Sequence, residues 1–453
     1  MTTPYSPQPP GPPPNCPAHA DAPGVVQLYG PQFAANPQAF YAHLRLHGPV
    51  APVEIAPGVE ALLVTDRQVA LELLRDTSTW SKDPRRWQVT IPPDSPVLPM
   101  LAWRSNVLFS DGEAHARYRH VIVDAFDLVE PHELRLLVQH CADRLIREFG
   151  GAGQCDLIAQ YARSLPLLVF NTLFGLPDHY SERLIAALAG MLEGNSPEEA
   201  AEANTAYGQY VRELVALKRQ QRGDDLTSWF MHHPAGLSPE EVVDQIILTM
   251  GAGHEPTTNL IGNALGRMLS DDRYYSSLTG GALTAQDAIN EVLWQDPPMA
   301  NYSAHYPLRD IYFHGTWIRA GQLVLVSYAA ASTQPAHTAP GQARSGERSH
   351  LAWAAGPHAC PVKQHALLIA TTAIERLTGW LSNIELAVPY EQLVWRPGPF
   401  HRALSALPAR FSPISPDQTG ATPWNSSPSP STPQAPTSTV RQPASASSAP
   451  QPS

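Results

Sequence analysis

One stretch of about thirty residues, SPEEVVDQIILTMGAGHEPTTNLIGNALGRMLS from Ser238 to Ser270, constrains the fold more than any other. Ser238 can cap a helix, Pro239 takes the first helical position, and Glu241 sits where it closes a capping box. Val242, Val243, Ile246, Ile247 and Met250, then Leu260, Ile261, Leu265, Met268 and Leu269, recur at helical spacing on either side of GAGHEPTT. Pro256 has no N–H for the carbonyl of Ala252, so a bulge or kink is expected there, leaving an acceptor open. Such a helix is either a kinked core helix or one that passes close to something that is not protein, and this segment by itself leaves both open.

The 453 residues are 43% hydrophobic, enough for a large core in one big domain or a few ordinary ones. Prolines crowd into residues 1–23 and the Pro/Ser/Thr-rich end at 412–453, both of which read as disordered tails around a domain at 24–411. A net charge of −11 with no basic stripe argues against a nucleic-acid partner. The longest apolar runs fall short of the roughly 20 residues of a membrane span, and no signal pattern opens the chain, so a cytoplasmic protein is expected. Helical periodicity dominates, as at 138–150, 182–192 and 204–221. A hairpin is expected over 50–65 and a β-rich stretch over 310–332.

Cys16, Cys141, Cys155 and Cys360 are irregularly spaced with no C-x-x-C pair, which suggests neither a disulfide framework nor a zinc ribbon. Cys360 stands out, in LAWAAGPHACPVKQHALLIA, between a small-residue loop and an apolar helical pattern. With Pro361 as first helical residue, Cys360 would lie at a helix N-terminus, which favours the thiolate, the metal-binding form. Ala354, Ala355 and Gly356 leave space for a flat body against the loop. A buried inert thiol is the other reading. His358 next to Cys360 invites a zinc site, but the further ligands are missing nearby. His115 and Arg119, four residues apart, share one helix face and could pair with carboxylates, or belong to a solvated basic face with Arg117 and His120.

Trp353-Ala-Ala-Gly356-Pro-His358-Ala-Cys360 resembles the haem-binding signature of the cytochrome P450 superfamily, F-G-x-G-x-H-x-C, with Trp in the aromatic slot and Ala354 for the first glycine. AGHE in the long helix is similar to the family's oxygen-binding A-G-x-[DE]-T, DGEAHARYRH to its propionate-binding H-x-x-x-R, and INEVLWQDPP to its E-x-x-R helix. The four occur in the family's order, and the similarity covers about residues 25–411. The resemblance implies a mainly α (α+β) fold with small sheets and haem b between the long helix and the cysteine-loop helix. Cys360 would be the axial ligand, with His115, Arg119, Trp353, Gly356, His358 and His305 around the haem and its propionates. It further implies a monooxygenase acting on a small organic molecule, fed by a separate ferredoxin and ferredoxin reductase.

Two positions depart from the pattern. The family's threonine falls on Pro256, so Glu255, Thr257, or water held near Ala252 and Gly253 would have to deliver protons. Trp294 replaces the arginine of E-x-x-R, a substitution shared with a small actinobacterial group that this chain resembles. A buried Glu291 needs a cation. Arg344 or Arg348 is the expected partner, with Trp294 filling the vacated volume and donating its indole N–H. The departures leave two further readings: a haem-binding sensor or partner protein with little oxygenase activity, and a peroxide-dependent haem enzyme.

Overall fold

The computed structural model describes residues 25–176, 197–274, 283–334 and 347–415. The N-terminal tail, the C-terminal tail beyond 415, the helix expected at 182–192 and Arg344 lie outside the described residues. Met1–Ile414 group as one compact unit and Ser415–Ser453 as another. Packing thus runs past the expected domain end at 411: Ile414 is buried and its N–H donates to Gly150 O at 2.9 Å.

The long helix forms as one element, Pro239–Ser270. Its capping box is complete, with Ser238 Oγ accepting from Glu241 N at 3.2 Å and Glu241 Oε2 from Ser238 N at 2.7 Å. The helical assignment continues through Pro256, where a bulge or kink was expected. Ala264 is buried, and so are Ile246, Met250, Leu260, Ile261 and Leu265, each of these five worth up to about 3 kcal/mol against exposure. Around this central helix pack the helices Pro197–Gln220, Ala285–Gln295 and Lys363–Trp380, the last of which also lies along Pro131–Phe149.

A six-stranded mixed sheet stands to one side, in the order Val26–Gln27, Val50–Ala56, Val59–Val64, Val324–Ser327, Asn301–Pro307, Trp80–Ser81. The expected hairpin is its antiparallel pair, with Val53 opposite Ala61. The stretch expected to be β-rich gives the hairpin Ile311–Phe313 and Thr316–Ile318 and the strand Val324–Ser327. Its end departs from expectation: Tyr328–Ser332 is a short helix, capped by Ser327 and rich in alanine, the best helix former. A smaller sheet joins Glu385–Leu386, Pro408–Arg410 and Gln154–Asp156. Among the described residues no helix is long and apolar enough to cross a membrane.

Candidate functional site

Two elements and a loop converge on one basic cluster, in which His115 and His305 are buried and Arg119, His358 and Cys360 are part-buried. The helix Gly112–Asp127 brings His115 and Arg119 to one face. The strand Asn301–Pro307 brings His305, and the loop before Lys363–Trp380 brings His358 and Cys360. The His115 and His358 rings lie 4.1 Å apart between centroids. His305 Nδ1 is 2.6 Å from Ser303 O, in a bulged register where Ser303 has φ +45°, a strained local geometry that re-aims the side chain after it.

Lys82, which the sequence reading did not single out, belongs to this group. It follows the strand Trp80–Ser81, is 4% exposed, and its Nζ donates to Ser303 Oγ at 3.3 Å. Its backbone N–H donates to the Asp111 carboxylate. Burial pushes the Lys82 ammonium down to about 7, with Asp111 opposing. Burial likewise lowers His115, His305 and His358, and the neighbouring positive charges of Lys82 and Arg119 reinforce this where they reach. The one carboxylate acting on the group among the described residues is Asp111. His115 Nε2 is buried with no hydrogen-bond partner, and the Arg119 side chain makes no hydrogen bond or ion pair among the described residues. The group sets Arg119, Lys82 and three burial-lowered histidines against a single carboxylate, an imbalance that a bound anion would relieve.

The cysteine sits differently from expectation. The helix begins at Lys363, so Cys360 is not its N-cap. Its backbone N–H closes the loop onto Trp353 O at 2.9 Å, and Trp353 packs part-buried against the main core. Burial pushes the Cys360 thiol up, while the Val362 N–H and the charges of Arg119 and Lys363 pull it down. Gly356 has φ +69°, and a Cβ there would fall 2.2 Å from Leu74 O. Ala354 has φ +58°, in the slot where the resembled signature carries glycine. Left-handed alanine costs about 1 kcal/mol. Ala354→Gly should therefore raise the unfolding free energy by about that amount in a denaturant titration.

The central-helix residues form a second cluster. Glu255 is 7% exposed, hydrogen-bonded by Arg396 Nη2 and by Asn259 Nδ2 at 3.1 Å. Burial works to raise its carboxyl, but the Arg396 and His401 charges win and hold it at about 2. A carboxylate pinned this way is a poor proton carrier near neutral pH, which weakens the relay role expected of Glu255. Thr257 is buried and its hydroxyl makes no hydrogen bond among the described residues. Gly253 admits no side chain, since a Cβ would lie 2.4 Å from the Phe170 ring, and Ala252 on the preceding turn is exposed.

The third group is that of Glu291; of its two expected partners, Arg344 lies outside the described residues and Arg348 does not pair with it. Its ion pairs run to Arg267 at 3.8 Å and Arg273 at 3.7 Å, and Tyr274 donates to it at 2.7 Å. Arg348 is exposed and is not among them. Glu291 is only part-buried, its side chain 22% exposed, so it sits where flanking arginines from the central helix and the segment after it can reach. Trp294 is buried and its indole N–H donates to Glu347 O at 2.9 Å. No group of three or more His, Cys, Asp or Glu able to hold a metal ion is assembled among the described residues, so His358 and Cys360 have no further zinc ligands there.

No family model matches the chain. A cytochrome P450 monooxygenase of Streptomyces venezuelae, PikC, is 30% identical over 401 residues, spanning 86% of this chain and 95% of its own. The vitamin D(3) 25-hydroxylase of Pseudonocardia autotrophica is 29% identical over 86% of this chain and 97% of its own. Among solved structures, CYP154C4 from a Streptomyces species superposes with a TM-score of 0.78 at 26% identity, covering 85% of this chain and 97% of its own. The tirandamycin C-bound P450 monooxygenase TamI gives 0.75 at 26% identity, over 85% of this chain and 100% of its own.

Proposed function

Because the chain belongs to the cytochrome P450 superfamily, we propose that it is a haem-thiolate monooxygenase placing one oxygen atom of O2 into a small organic substrate, with electrons from a separate ferredoxin and ferredoxin reductase. The observation that carries this reading is the cluster of Lys82, Arg119 and three histidines beside Cys360, with Asp111 its one carboxylate among the described residues. A dicarboxylate group with a thiolate-binding metal fits it: Lys82, Arg119, His115, His305 and His358 supply donors and charge, and Cys360 the sulfur. Haem b bound there supplies oxygen reduction and O–O cleavage, which a thiolate ligand promotes.

The protein's own contribution is placement and proton supply. His115 Nε2, buried without a partner, would hold a carboxylate, and Arg119 would do so while its charge steadies the Cys360 thiolate. In this reading Thr257 is the hydroxyl that passes protons, since Pro256 carries none and Glu255 is tied to Arg396. The same observations favour, as the second reading, turnover with peroxide, which brings its own protons and needs no such relay.

Turnover of a substrate panel with a surrogate ferredoxin chain, against peroxide, separates the two. Restoring the hydroxyl by Pro256→Thr should raise the fraction of electrons ending in product severalfold, up to the ~100-fold scale of a positioned acid. An unchanged fraction, with peroxide supporting faster turnover in both proteins, makes the peroxide reading the correct one.

A further inference from the structure

We propose that Arg67 is the positioning residue that supplies, from a different helix, the guanidinium missing at Trp294. Arg67 opens the helix Arg67–Arg75, next to its N-cap Asp66. Its Nη2 donates to the carbonyl of Ser349, and its guanidinium carbon lies 5.7 Å from the Trp294 ring centroid. Trp294 in turn donates to Glu347 O at 2.9 Å, and His350 meets the indole edge-on at 5.9 Å. Arg67 and Trp294 thus hold carbonyls two residues apart, Ser349 and Glu347, in one segment that leads through buried Leu351 into the cysteine loop. The Leu351 carbonyl then accepts from Ala354 N at 2.8 Å.

The far end of the same helix touches the same loop, because the Leu74 carbonyl is the atom that leaves no room for a side chain at Gly356. One short helix therefore fixes the cysteine loop at both of its ends. Asp66 accepts from Gln334 Nε2 at 2.6 Å and Gln334 Oε1 accepts from Arg67 N at 3.3 Å, which anchors the start of that helix. Glu291, the other half of the altered motif, is occupied elsewhere by Arg267, Arg273 and Tyr274. The substitution has split one device into two: Glu291 braces the central helix, while Trp294 and Arg67 brace the loop. Indole alone offers one donor and no charge, whereas a guanidinium adds a charge-assisted bond and stacks on the ring. A lysine at 67 could not do both.

This assignment rests on the reading that Cys360 binds the haem iron, and the test keeps the two apart. In the full-length holoprotein, Arg67→Gln should speed amide exchange at 347–351 by roughly tenfold or more and lower the fraction of the reduced carbon monoxide adduct that shows thiolate ligation. Adding Trp294→Arg to that variant should restore both, and Arg67→Lys should restore neither fully. The proposal is overturned if Arg67→Gln leaves exchange as in the parent, or if Trp294→Arg brings back neither signal. Should Arg67→Gln fail to accumulate as folded protein, recovery by Trp294→Arg supports the proposal and its failure overturns it. Faster exchange in a protein that never shows thiolate ligation sinks the Cys360 reading and leaves Arg67 as the brace of the loop.

Discussion

Replacing Cys360 by serine is expected to eliminate thiolate ligation while leaving the fold in place. The side chain is part-buried and makes its loop-closing bond through the backbone, from Cys360 N to Trp353 O, which serine keeps. Serine differs by one atom, so the cavity cost is small. Its hydroxyl does not ionise near neutral pH, and the Val362 N–H, Arg119 and Lys363 that favour a thiolate cannot make an alkoxide of it. Changing a partner of a metal ligand typically costs 10–100-fold, so loss of the ligand itself should lower oxygenation by at least ~100-fold. Haem content, the unfolding midpoint and turnover measured on one preparation separate loss of ligand from loss of fold. Turnover within a few fold of the parent would contradict the assignment.

Replacing Arg396 by leucine is expected to cost about 3–5 kcal/mol of stability, the usual penalty for leaving one member of a buried ion pair uncompensated. The pH dependence has a definite sign. In the parent, Glu255 lies at about 2 folded against an ordinary 4.5. Its contribution is therefore fully present above pH 4.5 and is lost as the pH falls toward 2. Without Arg396, burial dominates and the carboxyl moves above its ordinary value. The sign then reverses: the variant recovers stability on mild acidification through the range where Glu255 takes a proton. His254 and His401, both kept neutral by burial, oppose this below their ordinary 6.5 in parent and variant alike. Denaturant titrations of both proteins between pH 7 and pH 4 read the difference directly. Equal stabilities at neutral pH would show that the Arg396–Glu255 pair carries no net weight.

What could be read from the sequence follows from how local the cause is. The central helix announces itself because its cap, first-turn proline and apolar spacing all lie within the element. The cysteine loop is legible for the same reason, since its aromatic, small and cysteine residues fall within eight positions. Contacts made across the fold are not. Arg396 meets Glu255 from 141 residues away, and nothing in either neighbourhood marks the pairing. Glu291 was assigned a cation from the cysteine loop, yet arginines preceding its own helix in the chain reach it. The strand Asn301–Pro307 alternates polar and apolar residues, yet its polar Asn301, Ser303 and His305 are as buried as Ala304 and Tyr306, which no local pattern announces; with it goes the setting of Lys82, whose Nζ meets Ser303 and whose N–H meets Asp111. The helix at Tyr328–Ser332 was lost to a β-branched run that ends just before it, where the cap at Ser327 was the available signal.

In the proposed function Cys360 binds the iron of a haem held by the basic cluster of Lys82, Arg119 and the three histidines. The most direct measurement is the absorption spectrum of the purified chain reconstituted with iron protoporphyrin IX, reduced and exposed to carbon monoxide. Stoichiometric uptake and the red-shifted band of thiolate-ligated haem, absent in the serine variant, are expected. No uptake, or a band typical of nitrogen ligation that is indifferent to the change at Cys360, would contradict the proposed function.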